Sequence, residues 1–268
     1  MMMVHLDPEK EIENIVNHIR RYFVENGDPN TKAVIGISGG KDSTIAAALL
    51  VRALGPERVI GVMMPNGEQA DIEDSIEVCR ILGIHSITVN IGPAFEALTE
   101  AMPGGVSAMN SVYMTNTPAR LRMATLYGIA ANVGGRVINT GNASEAYVGY
   151  TTKYGDLAGD YAVLRDYYVT EVYKIGDALT ELPYHLVHKA PSDGMSGKTD
   201  ADNMGFSYEI LDNYLFYGAV PNIEVLHNIT ARHERNRHKE VINLPHPKAK
   251  NRSWTVIDPK YNPTDFSQ

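Results

Sequence analysis

Cysteine is almost absent from this chain of 268 residues, in which Cys79 is the only one. A single thiol cannot form an internal disulfide, and this favours a reducing compartment such as the cytoplasm. Cys79 stands in IEDSIEVCRILG, a segment with helical periodicity. We therefore interpret it as a small core residue rather than as a nucleophile.

Long apolar runs and a surplus of positive charge are also missing. No run approaches the roughly 20 apolar residues of a membrane helix, and the start MMMVHLDPEKEIE lacks the basic and apolar regions of a signal peptide. The 24 Lys and Arg are outnumbered by 32 Asp and Glu, which gives a net charge of -8. Because nucleic-acid binding needs a basic surplus, we expect a soluble cytoplasmic protein with neither a membrane nor a nucleic-acid partner.

Short β-branched runs alternate with segments of helical period in the first half of the chain. The predicted strands are KAVIGI, RVIGVMM, SITVNI and RVINT, and the predicted helices cover EKEIENIVNHIRRYFVEN and about 42–54, 69–82, 94–101 and 117–132. Such alternation is typical of βαβ units with helices on both faces of a parallel sheet. The predicted fold class is therefore α/β, with a doubly wound open parallel sheet.

The alternation fades after Thr140. Residues 141–163 are rich in Gly, Tyr and Asp, and residues 189–206 are polar and rich in glycine. Long stretches of this kind are usually functional loops or disorder. Three helical segments remain, namely TEVYKIGDALTEL, SYEILDNYLFY and NIEVLHNITARHERN. We predict one domain over 1–268 with helical additions at both ends, namely an N-terminal helix within 1–30 and these late helical segments, followed by an irregular tail over 245–268.

The segment GISGGKDST at 36–44 follows the first predicted strand and leads into a helix. Gly39 and Gly40 can adopt positive φ and let backbone N–H groups approach an anion, while Ser38 and Ser43 add hydroxyl donors. The helix that begins near Asp42 contributes its partial positive end. Ligands of open parallel sheets bind at this end of the strands, so the segment predicts a phosphate site.

Two familiar phosphate motifs do not fit this turn. A Walker A loop has Ser or Thr after its lysine, where this chain has Asp42, and the fingerprint G-x-G-x-x-G is absent from the turn. A carboxylate among phosphate donors requires a cation, and Mg²⁺ is bound by one or two carboxylates together with phosphate oxygens. Asp42 is therefore a candidate Mg²⁺ ligand; the alternative is that it only caps the helix.

The segment SGGKDS resembles the SGGxDS signature of the ATP pyrophosphatase superfamily, whose members split ATP between its α and β phosphates and transfer AMP. Three further segments, NTPARLRM, TGNASEAYVGYTTKYGD and the late HK pair, resemble those of ammonia-dependent NAD synthetases. The resemblance covers about residues 10–245. It implies a Rossmann-like fold and an ATP-dependent, Mg²⁺-assisted amidation of deamido-NAD by ammonia.

The resemblance also implies residue roles. The ATP-binding residues would be Gly36, Ile37, Ser38, Gly39, Gly40, Lys41, Asp42, Ser43, Arg122, Thr140 and Ser192. The deamido-NAD-binding residues would be Asn116, Arg120, Lys153, Asp160, His238 and Lys239. Asp42 and Glu145 would be the Mg²⁺ ligands, and Asp42, Arg122, Lys153 and Asp156 the catalytic residues.

Alternatives stay open for several of these residues. Arg120 and Arg122 lie two apart, so on a helix they point in different directions and suit two different ligands, but both could be plain surface arginines. Asp156 is the candidate to orient ammonium or accept its proton. Glu145 alone would be read as a solvated carboxylate, and RHERNRH as a solvated helix face.

The chain departs from the family pattern at several positions. Val169 stands where the family often has a lysine that contacts the ATP phosphates, so we expect Lys41 or Lys189 to supply that charge. Ser192 replaces a threonine but keeps the hydroxyl. Asn139 replaces a glycine, and Ala201 replaces an acidic residue to which we assign no role.

The ammonia source and the assembly are further expectations. Glutamine-dependent relatives carry a glutaminase domain with a nucleophilic cysteine, so this chain should use free ammonia or ammonia from a separate glutaminase. The resemblance implies a homodimer, for which the apolar first helix and the tail are candidate contacts. The alternatives are another ligase of the superfamily, resembling GMP synthetase or a tRNA-modifying enzyme, and a nucleotide-binding module without catalysis.

Overall fold

The computed structural model describes residues 6–69, 72–189 and 199–239. Its centre is a five-stranded parallel sheet with the order β3-β2-β1-β4-β5. The strands are β1 Lys32–Gly36, β2 Val59–Met63, β3 His85–Thr88, β4 Gly135–Asn139 and β5 Tyr161–Ala162. The predicted doubly wound α/β sheet is confirmed, and its order changes direction between the central strands β1 and β4.

Eleven α-helices surround the sheet in the described part of the chain. They are α1 Pro8–Glu25, α2 Lys41–Leu54, α3 Ile72–Leu82, α4 Gly92–Ala101, α5 Ser111–Val133, α6 Ala143–Val148, α7 Val169–Ala178, α8 Tyr184–Val187, α9 Asp200–Met204, α10 Tyr208–Tyr217 and α11 Ile223–Asn236. Three 3-10 turns lie at Pro56–Arg58, Val106–Ala108 and Arg237–Lys239. The sequence did not predict α6, α8 and α9, because helices of six, four and five residues are too short to display a period.

The strands bury both of their faces, which explains their continuous apolar sequences. On β1, Ala33 and Ile35 pack into a cluster with α1, α2, α3, α7 and α8, whereas Val34 packs into a second cluster on the opposite face with α5. A third cluster joins α6, α7, α9, α10 and α11 beyond the sheet edge. Two of these helices, α7 and α10, reach the start of α2, where Tyr173 and Tyr208 flank Lys41.

Helix α1 belongs to the core of the subunit. Its apolar face, Ile12, Ile15, Val16, Ile19 and Phe23, is buried against neighbours that include residues of α2 and α7. These apolar side chains are therefore covered within the subunit, and a contact of this helix with a second subunit stays a prediction. The tail at 245–268 lies outside the described residues.

Helix α5 contains Pro118 in its interior and is 23 residues long. Proline has no N–H, so the carbonyl of Met114 lacks its usual helical donor. The sequence prediction started this helix at about 117, which would place Pro118 in its first turn, where proline is favoured. In the structure Asn110 caps it by accepting from the N–H of Tyr113 at 2.9 Å, and the helix ends at left-handed Gly134.

No helix within the described ranges combines the length and the apolarity that crossing a membrane demands. Cys79 is buried in the main core cluster, and burial raises the pKa of its thiol to about 11. Its interpretation as a core residue is confirmed.

Candidate active site

The glycine turn lies at the carboxyl end of β1 and is ordered by its own hydroxyl groups. The Ser38 and Ser43 hydroxyls are 3.1 Å apart, the N–H of Gly40 donates to Ser38 Oγ at 3.2 Å, and Ser43 Oγ donates to the carbonyl of Gly40 at 3.1 Å. These bonds shape the backbone before any ligand arrives. The predicted phosphate turn therefore has a preformed geometry.

Gly39 is required at its position for two reasons. Its φ is +75°, and a Cβ there would lie 2.8 Å from Cβ of Asp74 and 3.2 Å from the backbone N of Ser75. The start of α3 thus packs directly against the turn. Gly40, expected to share the positive φ, instead has φ -83° and is the N-cap residue of α2.

Asp42 lies in the first turn of α2 without capping it, because Gly40 is the N-cap and no side chain caps this helix. The interpretation of Asp42 as a plain helix cap is therefore wrong. Its Oδ2 instead accepts a bond of 2.6 Å from Lys41 Nζ. The Lys41 amine is buried and does not extend freely into the turn.

Asn142 connects the two predicted metal ligands. Its Nδ2 donates to Asp42 Oδ1 at 3.2 Å, its N–H donates to Glu145 Oε2 at 3.1 Å, and its Oδ1 accepts from the N–H of Glu145 at 3.0 Å. The last two bonds form a capping box at the start of α6. Glu145 is thus part of a helix cap rather than a solvated carboxylate.

The electrostatics of this pair fit a divalent cation. Burial, followed by the charge of Asp42, raises the pKa of Glu145 to about 8. Two partly buried carboxylates that repel each other are stabilised by a cation, and hard oxygen ligands suit Mg²⁺. No group of three or more His, Cys, Asp or Glu side chains suited to a metal occurs in the described part of the chain, so other ligands would have to be water and phosphate oxygens.

The loop over 150–160 is attached to the end of β4 by Asn139. The Asn139 Nδ2 donates to the carbonyls of Asp156 at 2.6 Å and Ala158 at 3.0 Å, while Gly159 packs so closely on Asn139 that a Cβ would lie 2.8 Å away. The residue that departs from the family pattern therefore holds this loop against the sheet. Thr140 follows it at the same sheet edge, partly buried.

Most of the residues predicted to bind deamido-NAD come together at this loop. Thr152 Oγ1 donates to Asn116 Oδ1 at 3.0 Å, and Arg120 Nε donates to the carbonyl of Lys153 at 3.1 Å. Lys153 Nζ donates in turn to the carbonyl of His238 at 2.7 Å.

Lys239 also reaches this loop from beyond α11. Its Nζ donates to the carbonyls of Gly149 and Thr151, each at 2.7 Å. The cluster of Asn116, Arg120, Lys153, His238 and Lys239 forms one polar surface built from three distant parts of the chain.

The charge of Asp156 acts on Arg122, on Glu145 of the carboxylate pair and on Lys239 of the polar cluster. Arg122 Nε donates to the carbonyl of Met64, just beyond β2, at 2.9 Å. Burial lowers the pKa of Arg122 and the charge of Asp156 opposes that effect. Burial raises the pKa of Asp156. The hydrogen bond that its carboxylate accepts from the N–H of Thr152 at 2.8 Å acts in the opposite direction and lowers that pKa.

Asp160 lies apart from the polar cluster. Its Oδ2 accepts from the N–H of Val137 in β4 at 2.7 Å, and its Oδ1 accepts from the hydroxyl of Tyr127 at 3.1 Å. Its backbone carbonyl accepts from the hydroxyl of Tyr22 on α1 at 3.0 Å. The carboxylate has a structural task, and a role in substrate binding stays a prediction.

The structure places two side chains that bear on the missing family lysine, Val169 and Lys189. Val169, at the start of α7, is buried at 1% exposure in the third cluster. Lys189 Nζ donates to Asp74 Oδ2 at 2.6 Å, beside the turn that Asp74 contacts. Ser192 lies outside the described residues.

Sequence reasoning missed Asn139, Asn142 and Asp74. The spacing of Asn142 and Glu145 in NASE is a capping-box signal that could have located the first turn of α6. Asn139 and Asp74 make their contacts with residues far away in the sequence, and no local sequence pattern predicts such contacts.

Known proteins resemble this chain in sequence and in fold over most of its length. The family model described as NAD synthase matches residues 11–250. A relative from Pyrococcus horikoshii named NH(3)-dependent NAD(+) synthetase is 41% identical over 212 residues, which are 79% of each chain. A solved structure of NMN synthetase from Francisella tularensis has a TM-score of 0.82 and 34% identity, over 90% of this chain and 99% of that one. The NH3-dependent NAD synthetase from Campylobacter jejuni gives a TM-score of 0.72 and 27% identity, over 91% of this chain and all of that one.

Proposed function

The chain belongs to the NAD synthase family, and on that premise we propose that it makes NAD, AMP and pyrophosphate from deamido-NAD, ATP and ammonia. It is an ATP-dependent ligase of the NAD synthetase type. One observation carries the residue assignment. The glycine turn follows β1, and the loop that holds Glu145 and Lys153 follows the neighbouring strand β4, so both lie at the carboxyl ends of adjacent strands. Asn142 joins the two through its bond to Asp42.

The first step activates the substrate. A carboxylate oxygen of the nicotinate attacks the α-phosphorus of ATP, and the bond to the bridging oxygen of the β-phosphate breaks. The products are an acyl adenylate and pyrophosphate. A free carboxylate is a poor acyl donor because oxide is a poor leaving group, whereas AMP is a good one.

The residues of the turn bind and orient the leaving pyrophosphate. The N-terminus of α2 provides preorganised backbone donors, and Arg122 adds a positive charge from α5. Asp42 and Glu145 would hold Mg²⁺, which supplies charge neutralisation to the triphosphate when bound. Positioning and electrostatic stabilisation are the main tasks of the protein in this step.

The second step is attack of NH₃ on the activated carbonyl, with departure of AMP and loss of one proton from nitrogen. Ammonium must lose a proton before it can attack. Asp156, held by Thr152 and Asn139 at the loop, orients ammonium or accepts that proton. Its raised pKa brings it closer to the range of an effective general base.

An oxygen-transfer experiment tests the two steps together. Deamido-NAD labelled with ¹⁸O in its carboxylate is incubated with the protein, ATP, Mg²⁺ and ammonium. Adenylation moves one ¹⁸O into AMP, and NAD forms in equal amount. Formation of ADP and phosphate, or of unlabelled AMP, would contradict the mechanism, and turnover with XMP in place of deamido-NAD would support a ligase resembling GMP synthetase.

A second candidate substrate is the mononucleotide with the same nicotinate carboxylate. The similarity to NMN synthetase, at 34% identity over 99% of that chain, favours this candidate. The activation and amidation steps would be unchanged, because they act on the nicotinate end. Measurement of kcat/KM for deamido-NAD and for nicotinate mononucleotide in parallel decides between the two.

The remaining proposals concern the nitrogen source, the assembly and the cellular location. We propose free ammonia or ammonia from a separate glutaminase as the nitrogen source, a homodimer as the assembly and the cytoplasm as the location. Sedimentation of the purified protein tests the assembly, and comparison of ammonium with glutamine as substrate tests the nitrogen source.

A further inference from the structure

Lys41 occupies an unusual environment for a lysine. It lies in the first turn of α2 with a side-chain exposure of 3%, and its Nζ is 2.6 Å from Asp42 Oδ2. The rings of Tyr173 and Tyr208 flank the amine, with centroids at 5.6 and 5.7 Å. A buried ammonium persists only when paired, and the aromatic faces add cation–π attraction.

The charges around Lys41 are those of the expected metal site. Asp42 is its direct partner, and Glu145 is the second acid whose charge acts on the amine. Asn142 holds both acids in place through its side-chain amide and its backbone N–H. When both carboxylates are ionised to bind a cation, they carry a charge of minus two, and the ammonium reduces the local total to minus one.

The bonding of Asp42 adds a geometric constraint. Lys41 takes Oδ2, and Asn142 donates one bond to Oδ1. Oδ1 keeps a further lone pair, so a cation can reach this oxygen while Oδ2 stays bound to the amine. The side chain of Asp42 is therefore held in one orientation before a cation arrives.

We propose that Lys41 is a positioning residue that fixes Asp42 and, by its resident charge, keeps the affinity of the carboxylate pair for divalent cations low until ATP binds. The triphosphate brings several negative charges, which outweigh the ammonium and draw the cation into the site. Cation binding is thereby coupled to nucleotide binding. This proposal rests on the proposed function, because the nucleotide is the ligand that completes the site.

Direct cation binding tests the proposal without turnover. Mn²⁺ is titrated into the full-length protein in the absence of nucleotide and followed by electron paramagnetic resonance. The variants are Lys41→Met, which keeps the length of the side chain without its charge, and Lys10→Met, which removes an equal charge from an exposed site on α1. We expect Lys41→Met to bind Mn²⁺ at least about ten-fold more tightly than the wild type, equivalent to about 1.4 kcal/mol, and Lys10→Met to stay within about two-fold.

The same titration with α,β-methylene-ATP, which resists cleavage, tests the coupling. We expect the nucleotide to raise Mn²⁺ affinity strongly in the wild type and much less in Lys41→Met. If a folded Lys41→Met binds Mn²⁺ as weakly as the wild type, or more weakly, the proposal is wrong. Circular dichroism checks folding, and Lys41→Gln provides a second neutral variant if Lys41→Met does not fold.

Failure of the proposed function would be visible separately. The predicted pattern of Mn²⁺ binding without formation of NAD or NMN would leave the role of Lys41 intact and contradict only the reaction. Formation of NAD, together with unchanged Mn²⁺ affinity in Lys41→Met, would support the reaction and contradict the proposed role of Lys41.

Discussion

The side-chain amide of Asn142 donates to Oδ1 of Asp42 at 3.2 Å and so ties the start of α6 to the start of α2. Asn142 is completely buried and also caps α6. Asn142 therefore has two functions. It stabilises the start of α6, and it holds in place the two carboxylates that we expect to bind Mg²⁺.

Replacement of Asn142 should affect stability and metal-dependent binding in different ways. Asn142→Ala removes the cap and the bond to Asp42, and we expect a loss of about 1–3 kcal/mol in the free energy of unfolding. Asn142→Ser keeps a capping oxygen and should recover part of that stability but none of the affinity for Mg²⁺-ATP. Urea unfolding and calorimetric titration provide the two measurements. Recovery of both by serine would contradict a direct role for the bond to Asp42.

Asp156 should matter for the second step and not for the first. Asp156→Asn retains an oxygen that can accept from the N–H of Thr152, so the loop should keep its shape. We expect kcat to fall by about 10²-fold or more, as for loss of a general base, while pyrophosphate release in a single turnover persists. Asp166→Asn, at an exposed position, is the control. Equal loss of both steps would point to a role in adenylation instead.

Asp160 should be needed for stability. In Asp160→Ala the N–H of Val137 loses its acceptor, and we expect a loss of about 1–3 kcal/mol in the free energy of unfolding. Asp160→Asn keeps an acceptor and should lose little. The KM for deamido-NAD, measured on the stable Asn variant, tests the binding role that the family resemblance implies. An Ala variant as stable as the wild type would refute the structural role.

Lys189 should strengthen ATP binding from the side of the turn. Its amine donates to Asp74, whose Cβ packs against Gly39 of the turn, so we expect the lysine to interact with a phosphate bound there. We expect Lys189→Ala to weaken ATP binding about ten-fold, the scale of one charge-assisted hydrogen bond. Lys174→Ala, at an exposed position on α7, should have no effect. Unchanged affinity in both Lys189→Ala and Lys41→Gln would exclude these two lysines as replacements for the lysine absent at 169.

Cys79 should resist modification in the folded protein. Burial raises the pKa of its thiol from 9.0 to about 11, so the reactive thiolate is scarce at pH 8 and is also inaccessible. We expect iodoacetamide to modify it slowly in the native state and rapidly in guanidinium. Because the unfolded chain loses this proton first, the thiol contributes stability below about pH 9 that is lost as the pH rises towards 11. Fast native alkylation would contradict the buried position.

Much of the fold could be predicted from local sequence, because four strands are runs of β-branched residues bounded by glycine and polar residues. Strand β5 could not, since its two residues form a strand only by pairing with Ile138 and Asn139. The glycine turn was predicted because positive φ and helix starts have local signatures. The burial of Lys41 was not, because lysine is among the residues least often buried and its aromatic neighbours come from α7 and α10.

The contacts that position the site are mostly long-range. Asp160 and Tyr127 were both visible in the sequence, but nothing local pairs them. The polar cluster around Lys153 was predicted only through family resemblance, since composition and period say nothing of which loops meet. In contrast, the helical period and the apolar face of α1 were visible in the sequence, whereas the packing of that face against α2 and α7 was not.

The large sequence separation between the two walls of the site has a consequence for biosynthesis. Asp42 and Asn142 are 100 residues apart in the chain, and a ribosome that adds roughly 5–20 residues per second needs about 5–20 s to cover that interval. During this time the nascent chain contains the phosphate turn but not yet its opposite wall. Nucleotide capture is therefore a late, post-assembly property, and a message truncated before the codon for Asn142 cannot encode it.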